Sequence, residues 1–205
     1  NNRTRIIKYD KNLNKLKDIL EPYRGNPHLS KSITTDENNI YIAFRNEENN
    51  GRCHIIKYDT NFENKIEALE PDTGNYHNKP SITTDGENIY VAYQDWGNNV
   101  GIHIVKYDLD LNRKEDILEP NVEPYKNFDV NNSHSYQSIT TNKNNIYIAY
   151  RDARRNGETH IVKYNKELTR LKSVLEPDSS FNQTIISDNN YIYIAYEIKN
   201  NKIRI

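Results

Sequence analysis

"SITTDENNIYIAF", residues Ser32–Phe44, returns as "SITTDGENIYVAY" at Ser81–Tyr93, as "SITTNKNNIYIAY" at Ser138–Tyr150 and, altered, as "TIISDNNYIYIAY" at Thr184–Tyr196. Two other landmarks travel with it. One is "RIIKYD" (Arg5–Asp10), "HIIKYD" (His54–Asp59), "HIVKYD" (His103–Asp108) and "HIVKYN" (His160–Asn165). The other is an apolar pair closed by Glu-Pro, at Ile19–Pro22, Ala68–Pro71, Ile117–Pro120 and Val174–Pro177. The steps from Tyr9 to Tyr58, Tyr107 and Tyr164 are 49, 49 and 57 residues. A period of about 50 residues marks a repeat architecture.

Each repeat reads as four short strands: A on "SITT", B on "NIYIAY", C on "HIVKYD" and D ending in "LEP". All are rich in β-branched and aromatic residues and bounded by Asn, Asp, Gly or Pro, which is strand chemistry. The A-to-B link, "TDENN" or "TDGEN", suits a tight hairpin because Asp and Asn bond their own backbone and tolerate positive φ. Strand B is apolar on both faces, with Ile40, Ile42 and Phe44 on one side and Tyr41 and Ala43 on the other. A strand sandwiched between neighbouring sheets needs that pattern. Four-stranded antiparallel units repeating at this length are blades of a β-propeller.

The repeats predict an all-β fold, a β-propeller of four blades with residues 1–205 as one domain. The sequence opens just before a strand C and ends after strands A and B, so Arg3–Pro22 is expected to pair with Tyr191–Tyr196 and close one blade. The alternative is a segment of a larger propeller, because "NNRTRI" (Asn1–Ile6) resembles "NNKIRI" (Asn200–Ile205).

Composition narrows the function. Lys and Arg (28) balance Asp and Glu (29) to a net charge of −1, so no broad basic field attracts a phosphate backbone and nucleic acid is not an expected partner. Mean hydropathy is −0.99, yet 16 tyrosines supply apolar area as amphipathic rings. No run of about 18 apolar residues exists, so membrane insertion is not expected. Cys53 is the single cysteine. Zinc spacings, Gly-rich phosphate loops and nucleophile elbows are missing, so no metal or cofactor is expected. "DENN" has too few carboxylates at ligand spacing for calcium.

The stretch "IYVAYQDWGNNVGIHIVKYD" (Ile89–Asp108) is similar to repeats of extracellular sialidase-like β-propellers, and through its four copies the resemblance spans essentially the whole chain. It implies a propeller and an extracellular or cell-surface setting. The Asp-box of sialidases, S-x-D-x-G-x-T-W, is absent, and those enzymes resemble six-bladed rings. Four-bladed rings are reminiscent of hemopexin-like domains, whose motifs this sequence lacks.

The D-to-A and B-to-C links are long and irregular, and in a propeller they share one face. Variable loops on a rigid scaffold are where binding concentrates. The candidate ligand-binding residues there are His28, His77 and His134, each four residues before the Ser of strand A; Tyr76, Tyr136 and Trp96; and, after strand B, Arg45, Asp95, Arg151 and Asp152. The aromatics suit stacking on a sugar or anchoring a protein. The aspartates can orient hydroxyls and the arginines can grip a carboxylate. The same residues also fit a purely structural ladder between blades. A single active site would break the symmetry that these residues keep, so no catalytic residue is assigned. The expected function is a non-catalytic recognition module for a glycan or a surface protein. A structural or assembly domain of a larger surface protein is one alternative, and a sialidase-like glycoside hydrolase the other.

Overall fold

A computed structural model describes residues 3–24, 31–74, 76–95, 101–119, 137–152, 157–198 and 202–204. They form sixteen strands. The first two, β1 (Arg3–Tyr9) and β2 (Lys15–Arg24), make a two-stranded sheet. The first blade follows as β3 (Ser32–Thr35), β4 (Asn39–Asn46), β5 (Arg52–Asp59) and β6 (Lys65–Leu69). The second is β7 (His77–Thr84), β8 (Asn88–Asp95), β9 (Gly101–Asp108) and β10 (Arg113–Leu118). The third is β11 (Gln137–Thr141), β12 (Asn145–Asp152), β13 (Glu158–Asn165) and the start of β14 (Arg170–Ser187). The long β14 runs on to become strand A of a last blade, pairing with β15 (Ile192–Ile198), which in turn pairs with β16 (Lys202–Arg204). Strands A to D thus fall where the repeat places them, in sheets of antiparallel neighbours.

Local chemistry sets the turns. Asp36 Oδ1 accepts the N–H groups of Asn38 and Asn39, both at 2.7 Å, while its other oxygen takes the Tyr41 hydroxyl at 2.7 Å. Asp85 and Asp188 repeat this arrangement. In the C-to-D turns, Asp10, Asp59, Asp108 and Asn165 each accept backbone N–H groups two and four residues on. Three residues after each stands Leu13, Phe62, Leu111 or Leu168, all with φ between 51° and 64°. A bulky side chain in that left-handed region costs about 1–2 kcal/mol. Phe62, Leu111 and Leu168 offset the cost by burying their side chains against the preceding sheet.

The core lies between blades. Tyr41, Ala43, Cys53 and Ile55 pack on Val91, Tyr93, Val105 and Tyr107 of the second blade. Tyr90, Ala92, Ile102 and Ile104 repeat the contact with Ile148, Tyr150, Val162 and Tyr164 of the third. On the other side, Ile42, Phe44 and Ile56 meet Ile6 of the leading half-blade. The two apolar faces of strand B therefore serve two neighbours, and the Ala leaves room for the approaching sheet. Enlarging such a site would cost about 1–3 kcal/mol.

Closure through the ends is the expectation that needs correcting. The sheets pair β1 with β2, and the edge of β15 at Tyr196–Ile198 carries β16. The reason is the duplicated motif: Lys202–Arg204 is a second copy of Arg3–Arg5 and takes the place that β1 was expected to fill. Two repeated tyrosines consequently leave the core, since Tyr9 and Tyr193 are exposed while their counterparts are buried. Among the described residues no helix is long and apolar enough to cross a membrane.

Candidate functional site

The loop-rich face is best described where the first blade meets the second. After strand β4 the chain turns through a short 3-10 segment, Glu47–Asn49, capped by the Asn46 side chain, which accepts the Glu48 N–H at 3.0 Å. The turn ends at Gly51, whose φ of +68° suits glycine, and whose carbonyl accepts the His77 N–H at 2.9 Å. The B-to-C loop of one blade is thereby tied to the first strand of the next.

Gly51 also leaves space for two side chains. A Cβ there would stand 2.4 Å from Tyr76 Cδ1 and 2.8 Å from Arg45 Nε. Arg45 lies over the Tyr76 ring with Cζ 4.0 Å from its centroid, a cation–π contact. Its guanidinium pairs with Glu47 at 2.8 Å and donates to Asn78 Oδ1 at 2.6 Å. Held this way, Arg45 acts as a rigid backing for Tyr76, whose residue stays 52% exposed. Gly157 makes the same room for Arg151 in the third blade, where a Cβ would come within 2.5 Å of the guanidinium.

Beneath this shelf runs a buried polar seam. His77 is fully buried. Its Nδ1 accepts the Cys53 backbone N–H at 3.2 Å, so the proton sits on Nε2, which faces Thr73 Oγ1 at 3.2 Å. Thr73 donates onward to Asp95 Oδ1 at 3.1 Å. The His77 ring stacks on Tyr93 at 4.5 Å, and Tyr93 stacks on His103 at 5.3 Å. Burial pushes His77 down to about 4, helped by the charge of nearby His103. Burial also acts on His103, yet the hydrogen bond and charge of Asp116 at 2.9 Å outweigh it and hold His103 above the ordinary histidine range. The two imidazoles of the stack are thus pushed in opposite directions, His77 down and His103 up.

Glutamates of the "LEP" motifs anchor this seam and two others like it. Glu70 accepts the Tyr93 hydroxyl at 2.8 Å and lies 3.4 Å from Arg113 of the next blade. Burial pushes its carboxyl above the usual range despite these partners. Glu21 likewise takes the Tyr58 hydroxyl and Lys65, and Glu119 takes the Tyr164 hydroxyl and stands 3.5 Å from Arg170. These buried acids were visible in the sequence only as punctuation. Their signal was that an ionisable residue kept one place in every repeat while surface charges varied.

The structure brings Arg45, Tyr76, His77 and Asp95 to one seam. Arg151 and Asp152 occupy the equivalent place in the third blade, where Asp152 lies 3.9 Å from His160 Nδ1. His28, His134, Tyr136 and Trp96 lie outside the described residues. His77 faces the seam between blades, where its ring nitrogens are turned to Cys53 and Thr73. Among the described residues no group of His, Cys, Asp and Glu side chains is arranged to hold a metal ion.

No protein-family model matches the sequence, and no curated protein sequence does. Solved structures do. The BBS1N chain crystallised in complex with ARL6DN gives a TM-score of 0.56 at 10% identity, over 97% of this chain and 56% of that one. A subtype N11 neuraminidase-like protein of the H18N11 virus of a flat-faced bat from Peru gives 0.51 at 10% identity, over 92% and 62%. The exo-beta-1,3-galactanase of Phanerochaete chrysosporium, solved with beta-1,3-galactotriose, gives 0.51 at 9% identity, over 95% and 48%. The chain spans between 48% and 62% of the length of these three. At such identities the likeness is one of fold alone, that of blades of a β-propeller.

Proposed function

We propose that this chain is a non-catalytic recognition module that binds a glycan through its loop-rich face. The observation that carries the reading is Tyr76: one side of its ring is backed by the Arg45 guanidinium at 4.0 Å, and the residue remains half exposed. A ring fixed in orientation loses little entropy on binding and offers a flat apolar surface for the C–H face of a sugar. The buried seam beneath keeps it rigid. A protein partner on the same face is the second reading, favoured by the BBS1N likeness, since that propeller was crystallised with ARL6DN. An extracellular or cell-surface setting accords with either ligand.

A glycan array with the purified protein tests this. Binding should weaken by about 1–3 kcal/mol in Tyr76→Ala, the scale of losing an interfacial aromatic, and Trp96→Ala should act alike. Glu37→Ala, in an A-to-B turn on the opposite face, should leave binding unchanged. Failure to bind any glycan would move the reading to a protein partner. Hydrolysis of a sialoside by the wild type would overturn the non-catalytic assignment.

A further inference from the structure

We infer, on the glycan reading of this face, that Glu47 sets the selectivity of the Tyr76 shelf: it closes the Arg45 guanidinium to acidic sugars, so that the shelf takes neutral ones. An arginine grips a carboxylate through two parallel N–H donors on one edge. On Arg45 that edge is taken, since Nε lies 2.8 Å from Glu47 Oε1 and Nη2 donates to Glu47 Oε2 at 3.1 Å. Nη1 donates to Asn78 Oδ1 at 2.6 Å, and the flat face covers Tyr76. The Arg45 side chain is only 11% exposed. A ligand carboxylate or sulfate reaches the guanidinium only by displacing Glu47.

Local structure delivers Glu47 to this position. Asn46 caps the 3-10 segment by accepting the Glu48 N–H, and the turn closes through two successive left-handed residues, Asn50 at φ 55° and Gly51 at φ 68°. Glu47 is thereby folded back onto the arginine two residues before it. The loop that carries Tyr76 adds a second carboxylate: Asp72 accepts the Asn50 side-chain amide at 2.8 Å and the Gly74 N–H at 2.9 Å, and is itself exposed. Arg24 and Arg52, beside the same turn, are engaged with Glu48 at 3.7 Å and with the Glu70 carbonyl. An anionic ligand thus meets like charge and, among these described arginines, cations already held. Building in repulsion and blocked donors is how a site rejects a competitor. A neutral sugar stacking on the ring asks nothing of Arg45.

The combination is peculiar to this blade junction. Gln94, Arg151 and Glu197 hold the place of Arg45 in the other copies, and Trp96, Ala153 and Lys199 hold the place of Glu47. The place of Tyr76, five residues before the start of the strand A motif, is Pro27, Ser133 or Ser179 elsewhere. A contact needed for packing between blades recurs with the packing, as Tyr41 and Ala43 do in every copy. Arginine, partner glutamate and half-exposed ring coincide once, which assigns them to recognition.

Matched pairs of glycans test this with the full chain, neutral oligosaccharides against counterparts that carry a terminal glucuronate, sialic acid or sulfate. The wild type should bind the neutral member of a pair about tenfold or more tightly. Glu47→Ala should leave neutral binding within about twofold and raise binding of the acidic members by about tenfold or more, the scale of a charge-assisted hydrogen bond gained. Glu47→Gln, which removes the charge but keeps an acceptor on the guanidinium, should gain less. Glu48→Gln, one residue on and paired with Arg24, should leave the preference unchanged. Thermal unfolding checks that each variant is folded. Acidic members bound by the wild type as tightly as neutral ones, or no gain for them in Glu47→Ala, would overturn the selectivity and leave the glycan reading in place. No binding of any glycan by the wild type or by Glu47→Ala would remove both.

Discussion

Acidification should loosen the seam between the first two blades through His77. The ring is fully buried, and its Nδ1 accepts the Cys53 N–H, so a proton arriving there meets a donor already aimed at it. Folding lowers the His77 pKa from its ordinary 6.5 to about 4. A group lowered on folding binds its proton more readily in the unfolded chain. Stability is therefore complete above pH 6.5 and is lost as pH falls from there towards about 4. The difference between 6.5 and about 4 corresponds to about 3–4 kcal/mol at about 1.4 kcal/mol per unit. His103 acts in the other direction: raised on folding, it stabilises fully below its unfolded pKa and loses that contribution as pH rises through its folded value. Glu70, also raised, takes up its proton earlier in the folded state and partly masks the His77 effect. The measurement is thus a difference. Urea unfolding of the wild type and of His77→Asn, whose amide oxygen can still accept the Cys53 N–H, should be compared at pH 7, 6, 5 and 4.5. The wild type should lose stability relative to the variant by about 1 kcal/mol or more per unit through this window. Parallel curves, or a His77 resonance titrating near 6.5 in the folded protein, would refute the reasoning.

Two pairs of substitutions probe the backbone. Gly51→Ala should cost about 2 kcal/mol or more, since it strains a left-handed residue and drives a methyl into Tyr76 and Arg45. Gly74→Ala, also at positive φ but with open space around it, should cost about 1 kcal/mol in the same denaturation assay. Leu13→Asn should stabilise the monomer by about 0.5–1 kcal/mol, because asparagine tolerates the left-handed region and the exposed leucine contributes no burial. Leu111→Asn, at the same turn position but inside the core, should destabilise by about 2 kcal/mol or more. Equal effects at the two sites would show that burial does not compensate the turn strain.

Much of this molecule was legible in one dimension because its determinants are local. Strand alternation shows Tyr41 and Ala43 on one face and Ile42 and Phe44 on the other, and the structure gives those faces to different neighbours. The turn aspartates were equally plain, since an Asp that caps its own hairpin acts within five residues. Tertiary structure decided what depends on competition and distance. Two similar stretches, Arg3–Arg5 and Lys202–Arg204, compete by sequence for the edge of β15, and the nearer one occupies it because the loop it closes is short. Arg45 reads by sequence as either a grip for a carboxylate or part of a structural ladder between blades, and only the fold shows Glu47, Asn78 and Tyr76 converging on it through a loop and a neighbouring blade. The roles of His77 and Glu70 were hidden for the same reason. A buried polar group must find partners wherever the fold supplies them, and those of Glu70 lie 23 and 43 residues away at Tyr93 and Arg113.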